Sequence, residues 1–221
     1  MSTKELIKPI IRSAAFPELL EKLNNIWNDE QQRRREFYNW VTPDMKAEFI
    51  EGEVVVHSPV KRNHNLISGL LYSLLQLYVI KNKLGFVGIE KIMIRLTRND
   101  YEPDICFFSK SKSDQFEAKQ TLFPAPDFIV EVLSPSTETR DRGVKMEDYA
   151  RHGIQEYWII DPDTEIIEQY LLDDEIYELA HKLERGTIES TAVEGFKIPV
   201  KALFSEEGYA EAMQLLSSSS H

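Results

Sequence analysis

Glu131 stands alone as a charge within the run Phe128-Ile129-Val130-Glu131-Val132-Leu133, a segment otherwise apolar and β-type in composition. Burying a carboxylate there costs several kcal/mol unless something compensates, so a basic side chain or a metal ion must meet it. Asp104 raises the same question, because it follows Pro103 at the head of the apolar run Ile105-Cys106-Phe107-Phe108. On its own it reads equally as a turn-capping aspartate. Two such carboxylates on neighbouring strands would form a hard-oxygen site of the kind Mg²⁺ or Mn²⁺ takes, with waters and substrate phosphate completing the shell.

Other residues are candidates by position. Asp141, Lys145 and Tyr149 recur every four residues and share one helix face, where a surface ion pair is the plain alternative to a catalytic lysine. His64 lies in the first turns of another helical segment, within reach of a phosphate. The net charge of −11 argues against sequence-blind binding to a polyanion, since such affinity comes from phosphate neutralisation by Lys and Arg. The charge is uneven: residues 1–100 hold 15 Lys+Arg against 12 Asp+Glu, whereas residues 101–221 hold 11 against 25. A phosphate-facing surface is therefore expected in the first half, with Lys61, Arg62, Lys91, Arg95 and Arg98 as its candidates.

The elements that must position these groups follow from periodicity. Residues 16–39 place Leu19, Leu20, Leu23, Ile26 and Trp27 at helical spacing, predicting a leading amphipathic helix docked on the domain. Strands or a hairpin are expected over 47–57, a core helix over 61–83 and strands over 86–96. A turn at Asn99–Asp100 and the two acid-bearing strands come next. Then come a helix over 141–152, strands over 156–160 and 165–172, weaker strands near 177–183 and 188–193, and a helix around 206–216. This order predicts an α/β fold with a mixed sheet. The expected organisation is a helical extension over 1–40, a domain over 41–216 and a disordered tail over 217–221. Cys106 is the only cysteine, which excludes an internal disulfide. No apolar run suits a membrane span and no export signal opens the chain, so a cytoplasmic location is expected.

The longer pattern is Ala47-Glu48-Phe49-Ile50-Glu51-Gly52-Glu53, Ser58-Pro59, His64, Pro103-Asp104, Phe128 to Thr137, Asp141, Lys145, Tyr149, Gly153 and Glu156 to Pro162. In order and spacing it resembles the bacterial Uma-type family of restriction-endonuclease-like proteins, within the PD-(D/E)XK nuclease superfamily. The resemblance implies a restriction-endonuclease-like mixed sheet flanked by helices and a Mg²⁺- or Mn²⁺-dependent endonuclease acting on nucleic acid, DNA in the first instance. It implies Asp104 and Glu131 as metal ligands, with Glu53 or Glu48 completing the shell, and a functional His64. Lys61, Arg62 and Arg95 are the expected nucleic-acid contacts. Where the wider signature carries a lysine two residues past the glutamate, this chain has Leu133, which donates neither hydrogen bond nor charge. Lys145 is the natural substitute. A symmetric homodimer is compatible with such an enzyme. The rival readings are an inactive nuclease-fold module binding nucleic acid or a protein, and a structural protein assembling through its leading helix.

Overall fold

In a computed structural model, which describes residues 3–218, the chain forms the α/β fold expected, with three sheets and flanking helices. Its elements run α1 (Thr3–Ile11), α2 (Phe16–Trp40), β1 (Ala47–Ile50), β2 (Glu53–Val56), α3 (Arg62–Asn82), β3 (Gly85–Ile89), β4 (Met93–Arg95) and β5 (Asp100–Tyr101). Then come β6 (Ile105–Ser109), α4 (Lys110–Ser113), β7 (Leu122–Phe123), β8 (Phe128–Val132), α5 (Glu138–Asp141), α6 (Val144–Arg151) and β9 (Glu156–Asp161). The chain closes with β10 (Ile166–Asp173), β11 (Ile176–Leu183), β12 (Thr187–Glu189), β13 (Lys197–Pro199), a 3-10 turn over Val200–Leu203, and α7 (Glu206–Ser218).

The central sheet has the order β11-β10-β9-β8-β6-β3, antiparallel except for the parallel pair β8–β9. Alternation along its strands divides two cores. Phe128, Val130 and Val132 face α3, α7 and the C-terminal turn. Ile129 and Leu133 face the opposite way, toward Tyr149 of α6 and residues such as Ile50, Ile94 and Tyr101 of the smaller sheet β2-β1-β5-β4-β7. That period of two sends Glu131 into the second core, between the two sheets and α6.

Several expectations are corrected. Asp100 lies in strand β5, pairing with Phe49 and Arg95, and is not confined to a turn. The helix foreseen over 141–152 is broken into α5 and α6 at Arg142–Gly143. A Cβ at Gly143 would stand 2.7 Å from the Thr139 carbonyl oxygen, so the break needs a residue without one. Ser217 and Ser218 continue α7 and are not tail, while residues 219–221 lie outside the described residues. The leading helix docks only by its C-terminal half: Glu30, Arg34 and Phe37 are buried, but Leu20, Leu23, Ile26 and Trp27 are exposed. Among the described residues no helix is long and apolar enough to cross a membrane.

Candidate active site

The two carboxylates are neighbours by register. In the antiparallel pair β6–β8, Ile105 faces Val130 and Cys106 faces Ile129, so one step outward sets Asp104 opposite Glu131 on the same face. The Asp104 amide stands 3.4 Å from Glu131 Oε2, and Asp104 Oδ2 accepts from the Val132 amide at 2.9 Å. Pro103 ahead of one strand and Ser134-Pro135 beyond the other end the ladder here, leaving the pair buried at the floor of a cavity of about 510 Å³.

Lys145 projects from α6 to this point. Its ammonium lies 3.0 Å from Glu131 Oε1, 3.1 Å from Glu48 Oε1 and 3.2 Å from Asp141 Oδ1. Tyr149, one turn on, donates to Glu131 Oε1 at 3.0 Å. Leu133 is buried in the core between the sheets. The ammonium beside Glu131 therefore comes from helix α6. Asp104 has its own partners: Lys46 Nζ at 2.8 Å from Oδ1 and His64 Nε2 at 3.0 Å from Oδ2. His64 reaches it because α3 points its N-terminal turn at the cavity. The other ring nitrogen, Nδ1, is buried without a hydrogen-bond partner.

The electrostatics are lopsided. Glu48, Asp104, Glu131 and Asp141 are four buried acids served by two ammonium groups, Lys46 and Lys145. Burial drives the Glu131 carboxyl up to about 8, because Lys145 is shared and Asp141, Asp104 and Glu48 repel it. Burial raises Asp141 too. Burial alone would raise Glu48, but Lys145 and His57 bring it down to about 2, and His57 Nε2 lies 2.9 Å from its Oε2. Burial would likewise raise Asp104, yet His64 and Lys46 hold it well below the ordinary carboxylate range. Lys145 stays charged: burial opposes the ammonium, but Glu131, Glu48 and Asp141 override it and push its pKa up.

Not every sequence candidate joins this cluster. Glu53 is exposed on β2 opposite Ile50 and does not line the cavity; Glu48, in the neighbouring strand β1, is buried and meets the Lys145 ammonium. Arg95 lies outside the cavity with its guanidinium 5.5 Å from the centre of the Tyr38 ring. Arg98 is committed to Glu30, and Lys91 donates to the Pro43 carbonyl. Lys61 and Arg62 do line the mouth, with Ser58, Asn63, Ser134 and Ser136. The residues unforeseen are Lys46 and Glu102. Glu102 lines the same cavity, accepts from the Ala47 amide at 3.0 Å and is raised to about 7, chiefly by burial. Lys46 carries one faint signal, its place two residues before Glu48, which strand alternation puts on the same side. Cys106 is buried and its thiol is raised by that burial, which fits a structural role.

Hard oxygen donors, paired across a strand register in a cluster with more carboxyl groups than ammonium groups, suit a divalent cation such as Mg²⁺, which needs only one or two carboxylates. Among the described residues no three His, Cys, Asp or Glu side chains converge as a ready-made metal shell. Of the paired acids, Asp104 gives one oxygen to the Lys46 ammonium and Glu131 one oxygen to the Lys145 ammonium.

Fold and site together define a restriction-endonuclease-like α/β domain. A protein of the same fold is described as a "putative nuclease belonging to DUF820" from Anabaena variabilis, solved at 1.96 Å; it is 20% identical, with a TM-score of 0.67 over 77% of this chain and 96% of that one. Residues 34–201 match the model of the Uma2 family, described as "Putative restriction endonuclease", and the chain belongs to that family. Two Synechocystis proteins are similar along much of their length. Uncharacterized protein slr1290 is 29% identical over 74% of this chain and 79% of its own, and uncharacterized protein sll1609 is 28% identical over 57% and 71%.

Proposed function

We propose that this cavity hydrolyses phosphodiester bonds of nucleic acid, DNA in the first instance, with Asp104 and Glu131 holding Mg²⁺ or Mn²⁺. The observation that carries the reading is the register-opposed acid pair, over-supplied with negative charge, on the floor of a cavity whose mouth bears Lys61 and Arg62. A bound divalent ion would polarise the phosphoryl oxygen and make water a better nucleophile. Lys145 lines the cavity and is held charged by three acids; by giving up one of those contacts it would donate a hydrogen bond to the attacking water or to the oxygen on which charge grows. Lys46 and His64 fix the orientation of Asp104, and Tyr149 that of Glu131. Lys61 and Arg62 are exposed and draw in the flanking phosphates.

The test is cleavage of single- and double-stranded DNA and of RNA, with and without Mg²⁺. Asp104→Ala and Glu131→Ala should each lose about 10²–10³-fold or more while remaining folded by circular dichroism. Absence of cleavage on every nucleic acid, together with no calorimetric signal for Mg²⁺ or Mn²⁺, would sink the proposal. One observation favours a rival, a nuclease fold that binds without cutting: both carboxylates already have ammonium partners. That reading expects salt-sensitive binding without turnover, indifferent to Glu131→Gln.

A further inference from the structure

We propose that α1 and the first half of α2 form a dimer contact with a second copy of this chain, α1 of one copy lying on α2 of the other. The surface is separate from the cavity. It precedes residue 34, where the family match begins.

Leu20, Leu23, Trp27, Glu30, Arg34 and Phe37 follow alternating steps of three and four, the spacing of a helix–helix seam. One continuous stripe thus has two fates. Glu30, Arg34 and Phe37 are buried on the chain's own domain, whereas Leu20, Leu23 and Trp27 are 43–50% exposed and the adjoining Ile26 is 58% exposed. Leu6, Ile7 and Ile11 of α1 are 43–58% exposed as well. Residues 20–29 of α2 are all exposed. Scattered surface hydrophobics need no partner, whereas apolar side chains recurring at seam spacing along one helix, with more on the helix beside it, mark a contact surface.

Charge selects the occupant and its arrangement. Among the exposed charges, Lys8 and Arg12 outnumber Glu5 in and just after α1, while Glu18, Glu21 and Asp29 outnumber Lys22 on the first half of α2. Setting α2 against α2 would bring like charges together; setting α1 on the partner's α2 matches opposite signs. A second copy supplies both halves of that match, and a two-fold axis uses each twice.

Sedimentation velocity or light scattering on the full chain, without metal or nucleic acid, tests this apart from any nuclease activity. The protein should be a dimer at micromolar concentration. Leu23→Glu with Ile26→Glu should give a monomer with an unaltered far-UV spectrum and thermal midpoint of the domain, since neither side chain packs on it. Lys8→Glu with Arg12→Glu should weaken the dimer about tenfold or more, as should Glu18→Lys with Glu21→Lys, and combining all four should restore it. A wild-type monomer overturns the proposal, as does a dimer that survives both glutamates. A monomer whose exposed helices are taken up by lipid vesicles overturns it too.

Discussion

Arg34 with Asp100, where α2 meets the small sheet, and Lys145 with Glu131, at the cavity floor, are both buried ion pairs, yet they are assembled differently. Arg34 grips Asp100 at 2.6 and 2.8 Å and spends its remaining donors on the carbonyls of Leu96, Thr97 and Asn99. Tyr38 donates to the same aspartate at 2.8 Å, and nearby Arg98 holds Glu30 by two bonds of 2.8 Å. Each acid there has its own guanidinium. At the cavity, three acids crowd one ammonium and a fourth shares Lys46 with the neighbourhood. A balanced cluster fastens an element; an unbalanced one that opens into a cavity is kept short of positive charge that a ligand can supply. Burial is common to both, so stoichiometry is the telling difference.

Neutralising one acid in each cluster gives the sharpest contrast. Asp100→Asn leaves Arg34 buried without its counter-charge and should cost about 3–5 kcal/mol, lowering Tm by roughly 10 °C. Glu131→Gln removes a repelled charge, so in EDTA its Tm at alkaline pH should equal or exceed that of the wild type. Equal losses in the two variants would erase the distinction.

A pH titration of stability refines it. Because the folded Glu131 carboxyl is raised to about 8, the native state holds a proton that the unfolded chain releases near the ordinary glutamate value. Metal-free stability from this group is therefore full below the ordinary glutamate value, falls as pH rises from there to about 8, and is level beyond it. Glu48, lowered to about 2, works the other way: its contribution is present above the ordinary value and fades only in strong acid. Denaturant melts in EDTA should show the decline with rising pH in wild type and a flatter profile in Glu131→Gln. Added Mg²⁺ should offset the decline, by about 2–3 kcal/mol at a hundredfold excess over Kd. A decline of equal slope in the variant would assign it to other groups.

The smallest effect separates two acids of one hairpin. Glu53→Gln, on the exposed strand, should alter stability by no more than about 0.5 kcal/mol and leave cleavage unchanged. Glu48→Gln, in contact with Lys145, should reduce cleavage by about 10–100-fold. Equal activity of the two variants would remove Glu48 from the site.

Much of this protein was legible in one dimension. Strand alternation alone put Glu131 on the side of Ile129 and Leu133, and four-residue spacing put Asp141, Lys145 and Tyr149 on one face; both hold in the structure. The α/β order and the family likewise lay in local patterns, since periodicity and turn chemistry are properties of neighbours along the chain. Tertiary structure decided that Glu48 and not Glu53 meets Lys145, because a hairpin turn at Glu51-Gly52 separates strands of which one is covered and the other faces solvent. It also decided the recruitment of Lys46 to Asp104, fifty-eight positions away, the diversion of Arg95 to Tyr38, and the uncovered stripe of α2. These depend on which surfaces the fold covers, and coverage is a property of the whole assembled chain that no window of sequence contains.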